Sequence, residues 1–221
     1  MVRRTQKLSK NNSLFLFGAR GTGKTTLLRE LYSNTNPLWI DLLSDKDEDR
    51  FGRNPDELSQ VLKTGQYNCV VIDEIQKAPK LLDIVHREIE KYKKIQFVLT
   101  GSSARKLKRG SANLLAGRAF TYHLFPLTYD ELGDQFDLHS VLEFGSLPKL
   151  LDFSNSDEKN EFLRSYVKTY LREEIQVEQL IRKLNPFRDF LEIAAQCNGK
   201  IINYSKIARD VGVDDKTIQN Y

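Results

Sequence analysis

Residues 18–25 have the sequence GARGTGKT and follow directly on the apolar run LFLF at 14–17. The apolar run predicts a buried strand, and the stretch that begins near Lys24 predicts a helix. Glycines at 18, 21 and 23 allow the backbone to coil tightly, so that several N–H groups face one concavity in front of the positive end of that helix. This arrangement is typical of a phosphate-binding loop, and it predicts a P-loop α/β fold.

The loop supplies the candidate contacts to a polyphosphate. Lys24 can reach the β and γ phosphates as a point charge, and the Thr25 hydroxyl can ligate the Mg²⁺ that bridges them. We therefore expect ATP and Mg²⁺ as ligands. The alternative is a chance match in a flexible turn, which the flanking strand and helix patterns disfavour. The candidate binding residues are Gly18, Ala19, Arg20, Gly21, Thr22, Gly23, Lys24, Thr25 and Thr26.

Composition limits the classes that remain open. The chain has 221 residues, 29% of them charged and 40% apolar, which is typical of a globular protein. Its net charge of +4 permits an acidic partner without requiring one. Cys69 and Cys197 are too few for a disulfide framework, so a reducing cytoplasm is the simplest setting. We expect neither a secretory leader nor a membrane span.

Strand-like and helix-like patterns alternate over the first part of the chain. Strands are predicted at 13–17, 38–42, 69–73, 96–99 and 119–125, and helices at 24–32, at 55–63 and from 79 onward. This order predicts a parallel sheet flanked by helices, with the ligand at the carboxyl ends of the strands.

After residue 126 the pattern becomes helical. Thr128 and Glu131 form a predicted capping box for a short helix. A long helix is predicted at 157–184, ended by Pro186, and another at 187–196. We therefore predict a phosphate-loop domain at 1–135 and a helical region at 136–221, with the boundary somewhere in 126–156.

Two carboxylates end the apolar run at 69–73. Asp73 is predicted to hold Mg²⁺, directly or through water, and Glu74 to deprotonate the water that attacks the γ-phosphate. Neighbouring residues at a strand end point in different directions, so the two carboxylates can serve different roles. The alternative is that both merely cap the helix that follows.

Hydroxyls and arginines complete the candidate catalytic set. Thr100, with Ser102 as second choice, ends the strand at 96–99 and is predicted to bond the attacking water or the γ-phosphate; the alternative is a helix cap. Arg118 is one candidate for the cation that stabilises the transition state, and Arg105 and Arg20 are others. The basic run at 105–109 is either a nucleic-acid contact or a solvated loop.

The last stretch, 204–221, resembles a helix-turn-helix in its spacing. Ala208 lies where two helices would cross, Gly212 at the turn, and Ile218 in the second helix, which Asp214 would cap. Exposed polar side chains there suit a DNA groove or a protein partner. Residues 157–221 contain 11 basic and 11 acidic side chains, without the basic bias of a DNA reader. Because the second helix is still running at Tyr221, we expect a fragment of a longer protein.

Taken together, these blocks resemble the prokaryotic AAA+-type ATPases of the archaeal-ATPase group. The match runs through 16–31, 71–79, 99–107, 115–119, 124–132 and 169–175. The resemblance implies an AAA+-like ATPase domain at 1–135 with strand order 5-1-4-3-2, a following winged helix, and often a nuclease-like domain that would lie beyond Tyr221. The chain departs from the family pattern in lacking a clear second sensor arginine in the helical part.

The sequence therefore leads to a Mg²⁺-dependent ATPase whose nucleotide state controls a helix-turn-helix acting on DNA or a protein. The alternative is a switch or DNA-binding regulator that binds ATP without hydrolysing it. A small-molecule kinase is disfavoured because no arginine-rich lid is found. GTP is disfavoured because no Asn-Lys-x-Asp segment occurs.

Overall fold

One parallel sheet organises the first part of the chain. The computed structural model describes residues 2–102, 107, 115, 117–170, 184–197 and 199–221. Within these residues the sheet has five strands in the order β2-β3-β4-β1-β5, which confirms the predicted order 5-1-4-3-2. All four strand pairs are parallel. The strands are β1 (Leu14–Phe17), β2 (Leu38–Asp41), β3 (Cys69–Asp73), β4 (Gln96–Gly101) and β5 (Phe120–His123).

The two faces of the sheet are covered by different helices. Alternate residues of a strand point to opposite faces, and in β1 Phe15 belongs to one apolar cluster and Leu16 to the other. The second cluster includes Leu27 and Leu28 of the helix after the phosphate loop. Because both faces are covered, the continuous apolar run at 14–17 is at most 1% exposed, as a buried parallel strand requires.

Six helices accompany the sheet in the described part of the chain. They are α1 (Lys24–Leu31), α2 (Asp45–Arg53), α3 (Glu57–Thr64), α4 (Leu81–Lys91), α5 (Tyr129–Leu132) and α6 (Leu138–Phe144). Short 3₁₀ turns occupy Ile75–Lys77, Gly133–Gln135 and Pro148–Asp152. The predicted capping box is present at the start of α5, between Thr128 and Glu131. Helices α2 and α6 were not predicted; α2 buries only Phe51, so it lacks an apolar period.

The chain divides into two compact units, Met1–Lys159 and Asn160–Tyr221. The predicted boundary at 135/136 stays a prediction. The remaining helices are α7 (Ser156–Tyr170), α8 (Leu184–Gln196), α9 (Tyr204–Val211) and α10 (Asp215–Asn220).

The helical part differs from the prediction at one proline. Pro186 lies within α8 rather than between two helices, near the first described residue of that helix. The predicted helix at 157–184 is described only to Tyr170, and 171–183 lie outside the described residues. None of the helices in the described part is both long and apolar enough to span a bilayer.

Candidate functional site

The phosphate loop joins β1 to α1 at the carboxyl edge of the sheet. Gly21 and Gly23 have φ angles of 79° and 88°, in the left-handed region that glycine adopts without a steric penalty. Gly18 is required for a different reason, since a Cβ there would lie 2.3 Å from the carbonyl oxygen of Leu124. The buried Thr22 hydroxyl donates to the carbonyl of Ala19 at 2.8 Å and closes the turn.

Lys24 is buried inside the curve of this loop, with 5% of the residue exposed. Its ammonium group donates to the carbonyl oxygens of Gly18, at 2.8 Å, and Ala19, at 3.2 Å. Glu74 Oε1 lies 3.9 Å from Lys24 Nζ. The candidate phosphate-binding cation and the candidate general base are therefore neighbours.

Asp73 connects three elements of the fold. This carboxylate ends β3, is 2% exposed, and accepts a hydrogen bond from the Thr25 hydroxyl at 2.7 Å. Its other oxygen accepts from the hydroxyl of Thr100 in β4. The predicted metal ligands and the predicted sensor hydroxyl thus meet at one carboxylate.

Glu74 adopts a backbone conformation that is rare outside glycine, with φ 60° and ψ 49°. Its N–H donates to Thr100 Oγ1 at 2.9 Å, and its carboxylate accepts a hydrogen bond from the side chain of Gln76. Non-glycine residues in this region cost about 1–2 kcal/mol, and such strain persists where the surroundings enforce it. Here the enforced backbone turns the Glu74 side chain toward Lys24.

Gln76 is a site residue that sequence analysis missed. It lies in the 3₁₀ turn after β3 and also approaches Ser102, with 3.5 Å between Nε2 and Oγ. Its Oε1 is buried and accepts no hydrogen bond from the residues that the structure describes. A Cβ on Gly101 would lie 2.8 Å from that oxygen, so the glycine that ends β4 makes room for the amide. The only sequence signal was a polar residue two positions after Glu74.

Three of the predicted site residues are not among the groups that meet around Lys24 and Asp73. Arg20 and Thr26 are exposed, the first on the loop and the second on α1. Arg118 precedes β5, which runs parallel to β1, and it forms an ion pair with Glu90 of α4. Arg118 therefore lies at the amino edge of the sheet, about one strand length or roughly 13 Å from the phosphate loop. The structure does not bring Arg118 to the group around Lys24. Arg105 and the rest of the run at 105–109, except Leu107, lie outside the described residues.

The segment before β1 also reaches the phosphate loop. Arg4 donates to the Thr22 carbonyl at 2.9 Å, to the Phe125 carbonyl at 2.6 Å and to Glu131 Oε1 at 3.1 Å. Sequence analysis assigned Glu131 only to a capping box. Burial would raise the pKa of Glu131, but hydrogen bonds from Thr5 and Thr128 together with the charge of Arg4 hold that pKa below its ordinary value.

The described residues contain no group of three or more His, Cys, Asp or Glu side chains that could hold a metal ion. Magnesium in nucleotide sites is bound through one or two protein oxygens together with substrate phosphates. The adjoining oxygens of Thr25 and Asp73 suit that mode of binding.

The helical unit contains the region predicted as a helix-turn-helix. Helices α9 and α10 are joined through Gly212, with φ 75°, and their buried residues include Ala208 and Ile218. Asp214 caps α10 by accepting from the N–H of Thr217 at 2.8 Å, as predicted. Side chains of Lys216, Gln219 and Asn220 are exposed and Thr217 is partly buried. DNA contact by this region stays a prediction.

The parallel sheet with a glycine-rich loop between β1 and α1 defines the P-loop nucleoside triphosphatase fold. A family model described as an AAA domain matches residues 10–133, more than half of the chain. The chain therefore belongs to the AAA domain family, and it carries a nucleotide-binding domain of the ATPase type. Residues 135–221 match a model described as a domain of unknown function. No curated protein matches the chain.

Proposed function

We propose that this protein is a Mg²⁺-dependent ATPase and that Glu74 is its general base. One observation carries the proposal: Thr25, Asp73, Glu74 and Thr100 form a connected set of hydrogen bonds beside Lys24. Parallel strands place their ligands at this edge, and the residue types match those that position a triphosphate and a water molecule.

Each residue has a distinct role in the proposed reaction. Lys24 and the loop amides hold the β and γ phosphates. Glu74 accepts a proton from the water that attacks the γ-phosphorus while the bond to the β-γ bridging oxygen breaks, giving ADP and phosphate. Thr100 bonds both the Glu74 N–H and the Asp73 carboxylate, and it thereby holds the proposed base and the proposed metal ligand in a fixed relative position.

Thr25 and Asp73 are the residues that would hold Mg²⁺. The ion, when bound, neutralises phosphate charge. Both side chains supply hard oxygen ligands, and Asp73 is buried where water competes little for it. Arg118 lies at the other edge of the sheet and has no part in the proposed reaction.

The test compares two glutamates of the same sheet unit. Glu74→Gln removes the proton acceptor and preserves shape, so turnover should fall about 10²- to 10⁴-fold while Mg-ATP binding is retained. Glu90→Gln, at the amino edge, is the matched control and should hydrolyse ATP at the wild-type rate. Phosphate release and calorimetric binding are measured for both variants. Unchanged turnover in Glu74→Gln would remove the assignment.

We further propose the finer identity that the resemblance implied: a cytoplasmic member of the archaeal-ATPase group in which α9 and α10 belong to a winged helix. Nucleotide state would then reposition this helical part on DNA or on a protein partner. ADP release is measured with and without duplex DNA at two salt concentrations, because contacts to DNA phosphates weaken steeply as salt rises. Salt-sensitive stimulation supports DNA as the partner. A lack of turnover under all conditions supports the alternative, a non-hydrolysing ATP-binding switch.

A further inference from the structure

The residues before β1 form an extended segment that is anchored to the sheet unit. Leu8 packs against the apolar cluster on the α1 side, and the N–H of Ser9 donates to the Tyr122 hydroxyl at 3.3 Å. The side chain of Gln96 donates to the carbonyls of Ser9 and Asn12 at 2.8 and 2.9 Å. These contacts hold residues 8–12 against the sheet. The preceding residues extend to the phosphate loop, where Arg4 contacts Thr22.

At that loop, Arg4 bonds the peptide that joins Thr22 to the left-handed Gly23. The Thr22 carbonyl follows Gly21 and precedes Gly23, both with positive φ. Reorientation of this peptide changes φ of Gly23, and glycine adopts positive and negative φ almost equally readily, so glycine itself does not fix the orientation. A guanidinium bond of 2.9 Å to the Thr22 oxygen opposes such reorientation.

The orientation of this peptide determines where an amide donor points. In a trans peptide the C=O and N–H groups point in opposite directions. When Arg4 holds the Thr22 carbonyl on one side, the Gly23 N–H is held on the other. Loops of this type bind phosphate through their backbone N–H groups, so a reoriented peptide would present an oxygen where a donor is needed. Arg4 also lies close to Gly23 itself, with Nη1 4.0 Å from the position of a Cβ on that glycine.

Arg4 is itself held rigidly. Its side chain is 8% exposed and that of Glu131 is 2% exposed. Glu131 accepts from the Thr5 N–H at 2.8 Å, the Thr5 hydroxyl at 3.0 Å and the Thr128 N–H at 3.1 Å, besides Arg4. A buried ion pair whose two partners are both further hydrogen-bonded is geometrically specific. The helix α5 cap is therefore connected to the phosphate loop through one arginine.

We propose that Arg4 is a positioning residue for nucleotide binding, which orients the Thr22–Gly23 peptide of the phosphate loop and is held in place by Glu131. The inference rests on the proposed nucleotide site and adds to it a residue that lies outside the loop motif. Arg4 acts through the backbone and needs no contact with the nucleotide.

The experiment measures binding of Mg-ATP and Mg-ADP by calorimetry to the full chain and to three variants. Arg4→Ala should raise both dissociation constants by about 10- to 100-fold, because a charge-assisted hydrogen bond that orients a phosphate donor is lost. Arg4→Lys should lie between wild type and Arg4→Ala, since one ammonium group cannot span three acceptors. Arg3→Ala is the matched control; Arg3 is exposed and should bind both nucleotides as wild type does.

Comparing the loss of Mg-ATP affinity with the loss of Mg-ADP affinity in the Arg4 variants distinguishes an effect on the loop from a direct contact with the γ-phosphate. A loop effect weakens ATP and ADP equally, because the β-phosphate is common to both. A loss confined to ATP would place Arg4 at the γ-phosphate and overturn the proposal. Folded Arg4 variants, verified by urea titration, that bind both nucleotides within about twofold of Arg3→Ala would also overturn it. If Arg4→Ala does not fold, Arg4→Lys decides. A wild-type chain that binds neither nucleotide would instead contradict the proposed function.

Discussion

Gly18 and Gly52 are the same residue type under different constraints. A Cβ on Gly18 would meet the Leu124 carbonyl, a backbone atom that cannot move aside without shifting β5 from β1. Gly52 lies exposed near the end of α2, and apart from its own helix backbone and chain neighbours no described atom lies within 4 Å of the position of its Cβ. One glycine is therefore required by a close approach, and the other only adds freedom to the unfolded chain.

We expect the same substitution to have opposite effects at these two positions. Gly18→Ala should lower the free energy of unfolding by about 1–3 kcal/mol through steric overlap and should weaken nucleotide binding. Gly52→Ala should raise it by about 0.5–1 kcal/mol, because alanine favours the helix. Urea titration of both variants measures the difference. Equal effects would contradict the close packing of the loop against the residue after β5.

Residue positions in the site were predictable where they follow a strand. Thr25, Asp73 and Thr100 could be placed together because the carboxyl ends of parallel strands share one edge. Gln76 and Arg4 could not be placed, since nothing in a linear sequence shows which side chain returns to a loop from a turn or from an extended segment. Arg118 was a candidate because its residue type suits a transition-state cation. It precedes β5 rather than following it, so it lies at the opposite edge of the sheet from the site.

Among the elements, β3 is one of three strands whose residues are all buried, together with β1 and β4. All five of its residues are buried, and it pairs with β2 on one side and β4 on the other. Its first residue, Cys69, is 4% exposed, and burial raises the pKa of its thiol to about 12. Strands of this kind were predicted well from their apolar runs, whereas the polar helix α2 was missed because it has little apolar periodicity. Helix α6 is only seven residues long, which is too short for its apolar spacing to distinguish a helix from a loop.

The alkylation rate of Cys69 reports how often β3 becomes exposed to solvent. Thiolate is the reactive form, and a pKa near 12 instead of 9 leaves about 10³-fold less of it at pH 8. We expect Cys197, which is only partly buried, to be alkylated first by iodoacetamide, and Cys69 only when urea unfolds the sheet. Mass spectrometry of labelled peptides follows both sites. Equal labelling rates in buffer would show that β3 opens locally.

Across the sheet unit as a whole, the two edges of the sheet carry different groups. The carboxyl edge collects Lys24, Asp73 and Glu74, while the amino edge holds the ion pair of Arg118 with Glu90. The hydrogen bond from Arg118 and its charge lower the pKa of Glu90. Because the strands are parallel, the candidate site residues lie at one edge of the sheet and this exposed ion pair lies at the other.

This polarity predicts how two cationic side chains differ. Lys24→Ala should weaken Mg-ATP binding by about 10- to 100-fold, since a charge-assisted contact to phosphate is lost. Arg118→Ala should leave the dissociation constant within about twofold of wild type, because the side chain is a strand length away from the loop. Calorimetry on both variants compares them directly. A comparable loss of affinity in Arg118→Ala would mean that nucleotide binding rearranges the sheet.

Residues 2–13 have no helix or strand, yet they are hydrogen-bonded to β4, β5 and the phosphate loop. The AAA domain match begins at residue 10, after Arg4 and Leu8. A polypeptide trimmed to residues 10–133 would keep Lys24, Asp73 and Glu74 but would lose the hydrogen bond from Arg4 to the phosphate loop. The folded unit that holds this loop therefore begins before the first residue of the family match.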